Sequence, residues 1–456
     1  MDRYLIMNFL LHLKSLVNTI ETVEVLLKNS KKILYNCNIF NNTTFQKGYI
    51  LILNDIIEDV IWTDQYDLSH YSDYEKINCD EGFVSYGFID PHVHFRTPGN
   101  EDKEDWDSGS RAAVKGGFTY VIDMPNNKPS AVDYNTIREK NEIAKKLSLV
   151  NYGFHIGLTD QNVFTIKDII SQLRNDKINI HGIKVFMGSS TGNLLVTTKE
   201  IIRQALNTGE IVLFHAENEE DIIASDNFEN IEKHEQNRPA IAEKNAISKI
   251  MESISSKQLS KVYICHLSSN IGLQTALQLR KSGITTYLEI TPHHLYFSIN
   301  DTDGSAFFKI NPPIRNFNDV SALRDAFNSG VLDLIGTDHA PHLLVEKQQK
   351  NAPSGFPGLE TAFYALYELS KRDVLSFDMI FKMLTNAYSI FNIKNRGEIK
   401  KGNFADLTII KKNDYIFKSE NSYTKAKFSP FENIKSDLII DTVIISGKEM
   451  LINNKF

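Results

Sequence analysis

The chain has 456 residues, 42% hydrophobic and 23% charged, which is ample for a large core: one big domain plus a smaller one, or two or three ordinary ones. A net charge of -7, a pI near 6.0 and the lack of a basic run exclude nucleic acid as a partner, because nothing stands ready to neutralise phosphates. Cys37, Cys79 and Cys265 are widely spread with no CxxC spacing, which excludes a disulfide framework and a cysteine metal site and fits a reducing cytoplasm.

Residues 1–31 read as an N-terminal extension. Its stretch "RYLIMNFLLHL" resembles the apolar part of a signal peptide, but Asn8 and His12 interrupt it and no A-x-A-like cleavage site follows. It is also too short to span a bilayer, so no membrane association is expected. Next come two strand-like runs, "KILYNCNIF" and "YILILNDIIEDVIW".

From residue 84 onward short β-rich runs alternate with helical patterns. The runs are "VSYGFID", "FTYVIDM", "YGFHIGL", "GIKVFMG", "EIVLFHA", "KVYICHL", "TTYLEIT" and "LDLIGTD". Most are nearly continuous in apolar residues, as parallel strands covered by helices require. Segments between them, such as "YNTIREKNEIAKKL" and "IGLQTALQLRKSG", carry helix formers and often end in Gly. Eight strand-helix units predict an α/β fold, a (β/α)8 TIM-like barrel over residues 84–396. After it, "ADLTIIKK" and "DLIIDTVIISGKEMLI" read as strands, separated by a polar connection, "KKNDYIFKSENSYTKAKFSPFENIKS". The flanks 32–83 and 397–456 together predict one small composite β domain, a β-sandwich formed from both chain ends.

The histidines fall in a pattern. His92 and His94 close the first run, His215 the fifth and His266 the sixth, while the eighth ends in "GTDHAPH" with Asp338, His339 and His342. Strand C-termini of such a barrel converge on one face. His92, His94, His215, His266 and Asp338 therefore make a candidate binding site for zinc or a similar metal. The fourth run adds Lys184, which the residues alone leave open between a lysine that snorkels to solvent and a desolvated neutral amine able to add carbon dioxide.

Other features read as structural. His12, His70 and His234 are expected at the surface, His155 and His181 in structural roles, and His339 behind the site; for His293 and His294 no role follows from spacing. Asp105 and Asp107, like Glu217, Glu219 and Glu220, read as solvated helix starts rather than a third metal site. "GSSTGN" lacks the features of a phosphate loop. The polar segment "LLVEKQQKNAPSGFPG" is a candidate mobile loop.

The ordered set "GFIDPHVHFRTPG", "GGFTYVIDMPNNKP", "GIKVFMGSSTGN", "FHAEN", "CHLSS", "TPHHL", "KINPPIR", "GTDHAPH", "SGFPGLET" and "GEIKKGNFADLTII", spread from about Lys32 to Ile410, resembles the amidohydrolase superfamily and, within it, the dihydroorotases. The resemblance implies two zinc ions per chain: one held by His92, His94 and Asp338, the other by His215 and His266, with Lys184 as a bridging carbamate. It also implies that Arg96, Asn126 and His342 bind the substrate's carboxylate and that Asn311 contacts the ring. A guanidinium offers a carboxylate a matching planar fork. The implied reaction is the reversible zinc-dependent interconversion of L-dihydroorotate plus water with N-carbamoyl-L-aspartate in de novo pyrimidine biosynthesis. Asp338 would act as base and then acid. A cytoplasmic homo-oligomer, a dimer, working on a small molecule is implied as well. The competing readings are an allantoinase or a hydantoinase/dihydropyrimidinase-type cyclic amidase on a neutral ring, and an inactive scaffold for a partner enzyme. Arg96 and "MPNNKP" oppose the first, and the retention of all six ligands opposes the second.

Overall fold

The structure, a computed structural model, describes residues 30–189, 194–225, 227–255 and 259–456. Nearly all of the expected N-terminal extension, including His12, and residues 190–193 of "GSSTGN" lie outside the described residues.

In chain order, the N-terminal flank forms β1 (Lys31–Phe40), β2 (Phe45–Leu53), β3 (Ile56–Trp62), β4 (Glu75–Asn78) and β5 (Phe83–Tyr86). Eight further strands follow: β6 (Phe88–Val93), β7 (Phe118–Asp123), β8 (Asn151–Gly157), β9 (Ile180–Phe186), β10 (Ile211–His215), β11 (Lys261–Ile264), β12 (Thr286–Ile290) and β13 (Leu334–Ile335). The C-terminal flank adds β14 (Leu407–Ile416), β15 (Lys435–Ile445) and β16 (Lys448–Leu451).

β6 to β13 pair in sequence order, each parallel to the next. A parallel bridge between Val93 and His339, with His94 N–H donating to His339 O at 2.8 Å, brings the last strand back to the first. The ring is the predicted (β/α)8 barrel. Its strands read as apolar runs because both faces are covered: Val121, Ile183, Val212, Val262 and Leu288 are all fully buried. Each such side chain contributes roughly 1.5–3 kcal/mol of transfer free energy.

Both flanks enter one hydrogen-bonded sheet, in the order β16-β15-β14-β5-β1-β2-β3, with β4 added to β1. β5 joins the two ends of the chain, since Val84 pairs with Ile39 of β1 and with Ile409 of β14. The run "VSYGFID" is therefore divided: residues 83–86 belong to this sheet, and the first barrel strand starts at Phe88. Gly87 marks the division. A Cβ there would lie 2.2 Å from the Thr119 side chain, so only glycine lets the strand cross so close to β7.

Helix starts follow local chemistry. The helix Trp106–Lys115 begins at Asp105, whose carboxylate accepts Ser108 N–H at 2.8 Å, and Asp107 pairs with Arg111 at 3.0 Å. Both aspartates thus serve the helix, as expected from the sequence. The connection 411–436 is less irregular than its composition suggests: β14 extends through Ile416, and Tyr423 and Thr424 donate backbone N–H groups to Glu360 on the barrel at 2.8 and 3.3 Å. Among the described residues no helix is long and apolar enough to cross a membrane.

Candidate active site

A cavity of about 270 Å³ opens at the C-terminal ends of the barrel strands, and nine of the ten expected site residues line it: His92, His94, Arg96, Asn126, Lys184, His215, His266, Asn311 and Asp338. The tenth, His342, stands behind Arg96, with its Nε2 3.2 Å from the guanidinium. Arg96, His266 and Asp338 have φ of 61°, 35° and 50°, left-handed conformations that cost a non-glycine residue of order 1–3 kcal/mol each.

The first group of donors comes from β6 and the end of β13. His92 Nδ1 donates to Glu289 Oε1 at 2.8 Å and His94 Nδ1 to Asn126 Oδ1 at 2.6 Å, which leaves both Nε2 atoms as lone-pair donors. Those atoms lie 3.4 and 3.0 Å from Asp338 Oδ1. Burial opposes charge on Asp338, yet His92, His94 and Lys184 hold its carboxyl below the usual carboxylate range. Three polar atoms drawn this close fit a shared cation: tetrahedral bonds of about 2.0–2.1 Å set ligand atoms roughly 3.3 Å apart.

The second group comes from β10 and β11. His215 Nε2 donates to Glu217 Oε2 at 2.9 Å, so its Nδ1 carries the lone pair, and that atom lies 3.1 Å from His266 Nε2. This spacing fits a second cation by the same argument. Lys184 is fully buried on β9, with Nζ 2.9 Å from Cys265 Sγ. The donor set of imidazole, carboxylate and a potential carbamate suits zinc and similar borderline metals.

The rim comes from loops. Burial lowers the Arg96 pKa to about 10, which leaves it charged at neutral pH, and its Nε donates to Pro341 O at 3.2 Å. His342 is held neutral, lowered to about 3 by burial and by Arg96, with Lys103 and Lys347 adding to the effect. Its Nδ1 accepts from Lys103 at 3.4 Å, and Nε2 donates to Ser354 O at 3.1 Å. Ser354 Oγ donates to Asn311 Oδ1 at 3.0 Å. Asn126 gives its Oδ1 to His94, so its amide N–H groups remain for the cavity. An electropositive corner thus adjoins a cluster of metal donors.

Two expectations are corrected. Glu217 is not a solvated helix start: it is fully buried, accepts from Arg238 Nη2 at 2.7 Å, and fixes the His215 ring. Burial opposes its charge, but Arg238 and His215 hold it well below the usual range. His234 is not a free surface residue: its Nε2 lies 2.8 Å from Ile310 O and 3.1 Å from Asn311 Oδ1. Glu219 and Glu220 keep to a short 3-10 turn.

One residue the sequence reading passed over is Glu289. Fully buried on β12, it accepts from His92 Nδ1, from His266 N–H at 2.9 Å and from Tyr263 Oη at 2.6 Å. It therefore touches both donor groups. A lone carboxylate inside the apolar run "TTYLEIT" was the available signal. The remaining histidines behave structurally: His155 bonds Pro91 O at 3.1 Å, His181 bonds Tyr120 Oη at 2.9 Å, and His294 bonds Thr291 Oγ1 at 2.8 Å. His293 packs on Phe356. His339 sits behind the site, its Nδ1 accepting from Gly358 N–H at 3.2 Å and its Nε2 3.3 Å from Glu104. His70 is exposed.

Comparison with known proteins agrees with this geometry. Residues 83–450 match the amidohydrolase family. The chain is 34% identical to the dihydroorotase of Methanosphaera stadtmanae over 424 residues, covering 89% of this chain and 92% of that protein. It is 33% identical to the dihydroorotase of Pyrococcus furiosus, covering 82% and 83%. In fold it is similar to the L-hydantoinase (dihydropyrimidinase) of Arthrobacter aurescens, with a TM-score of 0.84, 19% identity and coverage of 93% and 96%. It is also similar to the dihydropyrimidinase of Brevibacillus agri, with a TM-score of 0.82, 22% identity and the same coverage. The chain belongs to the amidohydrolase family, within its dihydroorotase branch of cyclic amide hydrolases.

Proposed function

We propose that the chain is a zinc-dependent dihydroorotase, interconverting L-dihydroorotate plus water with N-carbamoyl-L-aspartate in de novo pyrimidine biosynthesis. The observation that carries the reading is a fixed, buried arginine, Arg96, in the same cavity as the metal donors. A neutral ring has no use for that guanidinium, whereas dihydroorotate brings a carboxylate to match it.

In this reading His92, His94 and Asp338 would hold one zinc and His215 and His266 the other, with Lys184, as a carbamate, a ligand shared by both. Such ions, when bound, would supply Lewis acidity and a water with a pKa lowered to about 7. Arg96 and Asn126 grip the substrate's carboxylate, His342 stands behind Arg96 at the edge of that carboxylate site, and Asn311 faces the ring. Asp338 accepts the proton of the attacking water and passes it to the departing ring nitrogen. Ring closure reverses the transfer and consumes a proton, so lower pH favours it. The barrel, from Phe88 to about residue 396, carries the chemistry, and the composite β domain of 31–86 and 397–456 supports it. We include assembly as a cytoplasmic homodimer in the proposal, a state that light scattering reads directly.

The test is a comparison of kcat/KM for L-dihydroorotate and N-carbamoyl-L-aspartate against allantoin, hydantoin and dihydrouracil. The acidic pair should be turned over and the neutral rings nearly ignored. Preference for a neutral ring would refute the assignment.

A further inference from the structure

The segment 343–358, polar and read from sequence as a mobile loop, contains a lysine that is almost completely buried: Lys347 is 2% exposed. Its three ammonium hydrogens have three acceptors, Lys309 O at 3.1 Å, Pro353 O at 2.9 Å and Gly355 O at 3.0 Å. All are backbone carbonyls, and no carboxylate is among them. Burying an ammonium without a counter-charge is costly, and a methionine would fill the same space at no such cost. What the ammonium provides is a knot between two stretches of chain: the turn Pro353–Gly355 and the segment that leads from the short turn Ala306–Phe308 through Lys309 into Asn311.

That turn is part of the cavity wall, with Pro353, Ser354 and Gly355 all lining it. Ser354 reaches both Asn311 and His342, at 3.0 and 3.1 Å. Gly355 has φ +125°, and a Cβ there would lie 2.6 Å from Ala340 O, so the turn is pressed against the backbone just beyond Asp338. A second tie runs in parallel: Lys309 Nζ donates to Ala352 O at 2.6 Å, and Gly355 N–H to Lys309 O at 2.9 Å.

We propose that Lys347 is a positioning residue, whose buried ammonium fixes the Pro353–Gly355 turn and so sets the wall, with Ser354, that faces the bound substrate. Lys347 touches no metal donor and does not itself line the pocket; it acts through the Pro353–Gly355 turn and Asn311. The inference rests on the dihydroorotase reading for its choice of substrate.

The test uses the full-length, metal-loaded enzyme and Lys347→Met, which keeps the stem and removes the donors. KM for L-dihydroorotate should rise at least about 10-fold while kcat stays within about 3-fold, the pattern of lost substrate binding rather than lost chemistry. Metal content should match wild type. Trypsin should cut after Lys350 at least about 5-fold faster, because local opening of the segment becomes easier. Lys347→Arg, which restores a cation with several donors, should recover most of the KM. Wild-type KM and wild-type cleavage in Lys347→Met would overturn the proposal. If that variant does not fold by circular dichroism, Lys309→Met takes its place: a smaller KM rise of the same kind supports the knot, and no rise overturns it. A wild-type enzyme that ignores L-dihydroorotate but opens a neutral ring overturns the functional reading alone. The same KM and cleavage comparison, made on that ring, then decides the role of Lys347.

Discussion

The floor of the cavity and its rim are held by different means. On the floor, the imidazoles sit at strand ends, and three of the four rings are oriented by a buried group behind them: Glu289 behind His92, Asn126 behind His94 and Glu217 behind His215, while His266 is tied to Glu289 through its backbone N–H. On the rim, Arg96, Asn311 and His342 stand on loops: Arg96 and His342 are oriented by the carbonyls of Pro341 and Ser354 and by one another, and Asn311 by the side chains of His234 and Ser354. Floor residues inherit precision from the barrel, where neighbouring strands lock each position. Rim residues depend on local ties that a single substitution can loosen. Damage to the floor should therefore remove metal and activity together, whereas damage to the rim should change substrate use and leave the metals.

The largest effects are expected on the floor. Lys184→Ala should lose metal and essentially all turnover, and added short carboxylic acids should restore part of both by standing in for the carbamate; a variant with wild-type zinc content by elemental analysis would remove Lys184 from the site. Asp338→Asn should abolish turnover, because an amide neither shuttles the proton nor ligates as well. Near-wild-type rates would refute that role. Glu289→Gln sharpens the comparison. It leaves every proposed ligand in place but weakens the support of His92 and His266, and metal affinity in a chelator competition should fall about 10–100-fold. An unchanged affinity would mean the strand ends alone hold the imidazoles.

A smaller effect belongs to the contact between barrel and C-terminal flank. Burial pushes Glu360 up to about 7, although it accepts N–H groups from Thr424 and Tyr423. Its unfolded pKa is about 4.3, so the native state binds this proton more tightly; its contribution is complete below about pH 4 and is lost as pH rises through about 7. Glu360→Gln mimics the protonated form. The melting temperature of the variant relative to wild type should therefore rise between pH 5 and pH 8, on the order of 1–2 °C for a chain of this size. A difference that is flat across that range would contradict the assignment.

Much of the floor was legible in the sequence because its residues are chemically conspicuous. A His-x-His pair ending an apolar run, single histidines ending two others and an Asp-His after the last all advertise strand C-termini. The supporting residues were harder to see for a physical reason: their partners are distant in the chain. Glu217 lies in an acidic stretch that resembles a solvated turn, and its burial makes sense only beside Arg238, 21 residues on. Lys140 looks like an exposed helical lysine, but it pairs inside the core with Asp123 at 2.7 Å. Lys347 is hidden in a polar loop whose own turn, with Pro353 O and Gly355 O, folds back onto its Nζ. The barrel's first strand was misplaced at its start because apolar character continues across Gly87, where the chain passes from one sheet to the other. Periodicity cannot show that passage.

The most direct test of the division between floor and rim is to measure zinc content and kcat/KM together in Arg96→Gln. The account predicts about two ions per chain, as in wild type, with a loss of about 2–5 kcal/mol in transition-state binding of L-dihydroorotate, since one partner of a desolvated charge pair is gone. Lysine at the same position should recover only part, keeping the charge but not the fork. Loss of metal along with activity, or turnover indifferent to the substitution, would contradict it.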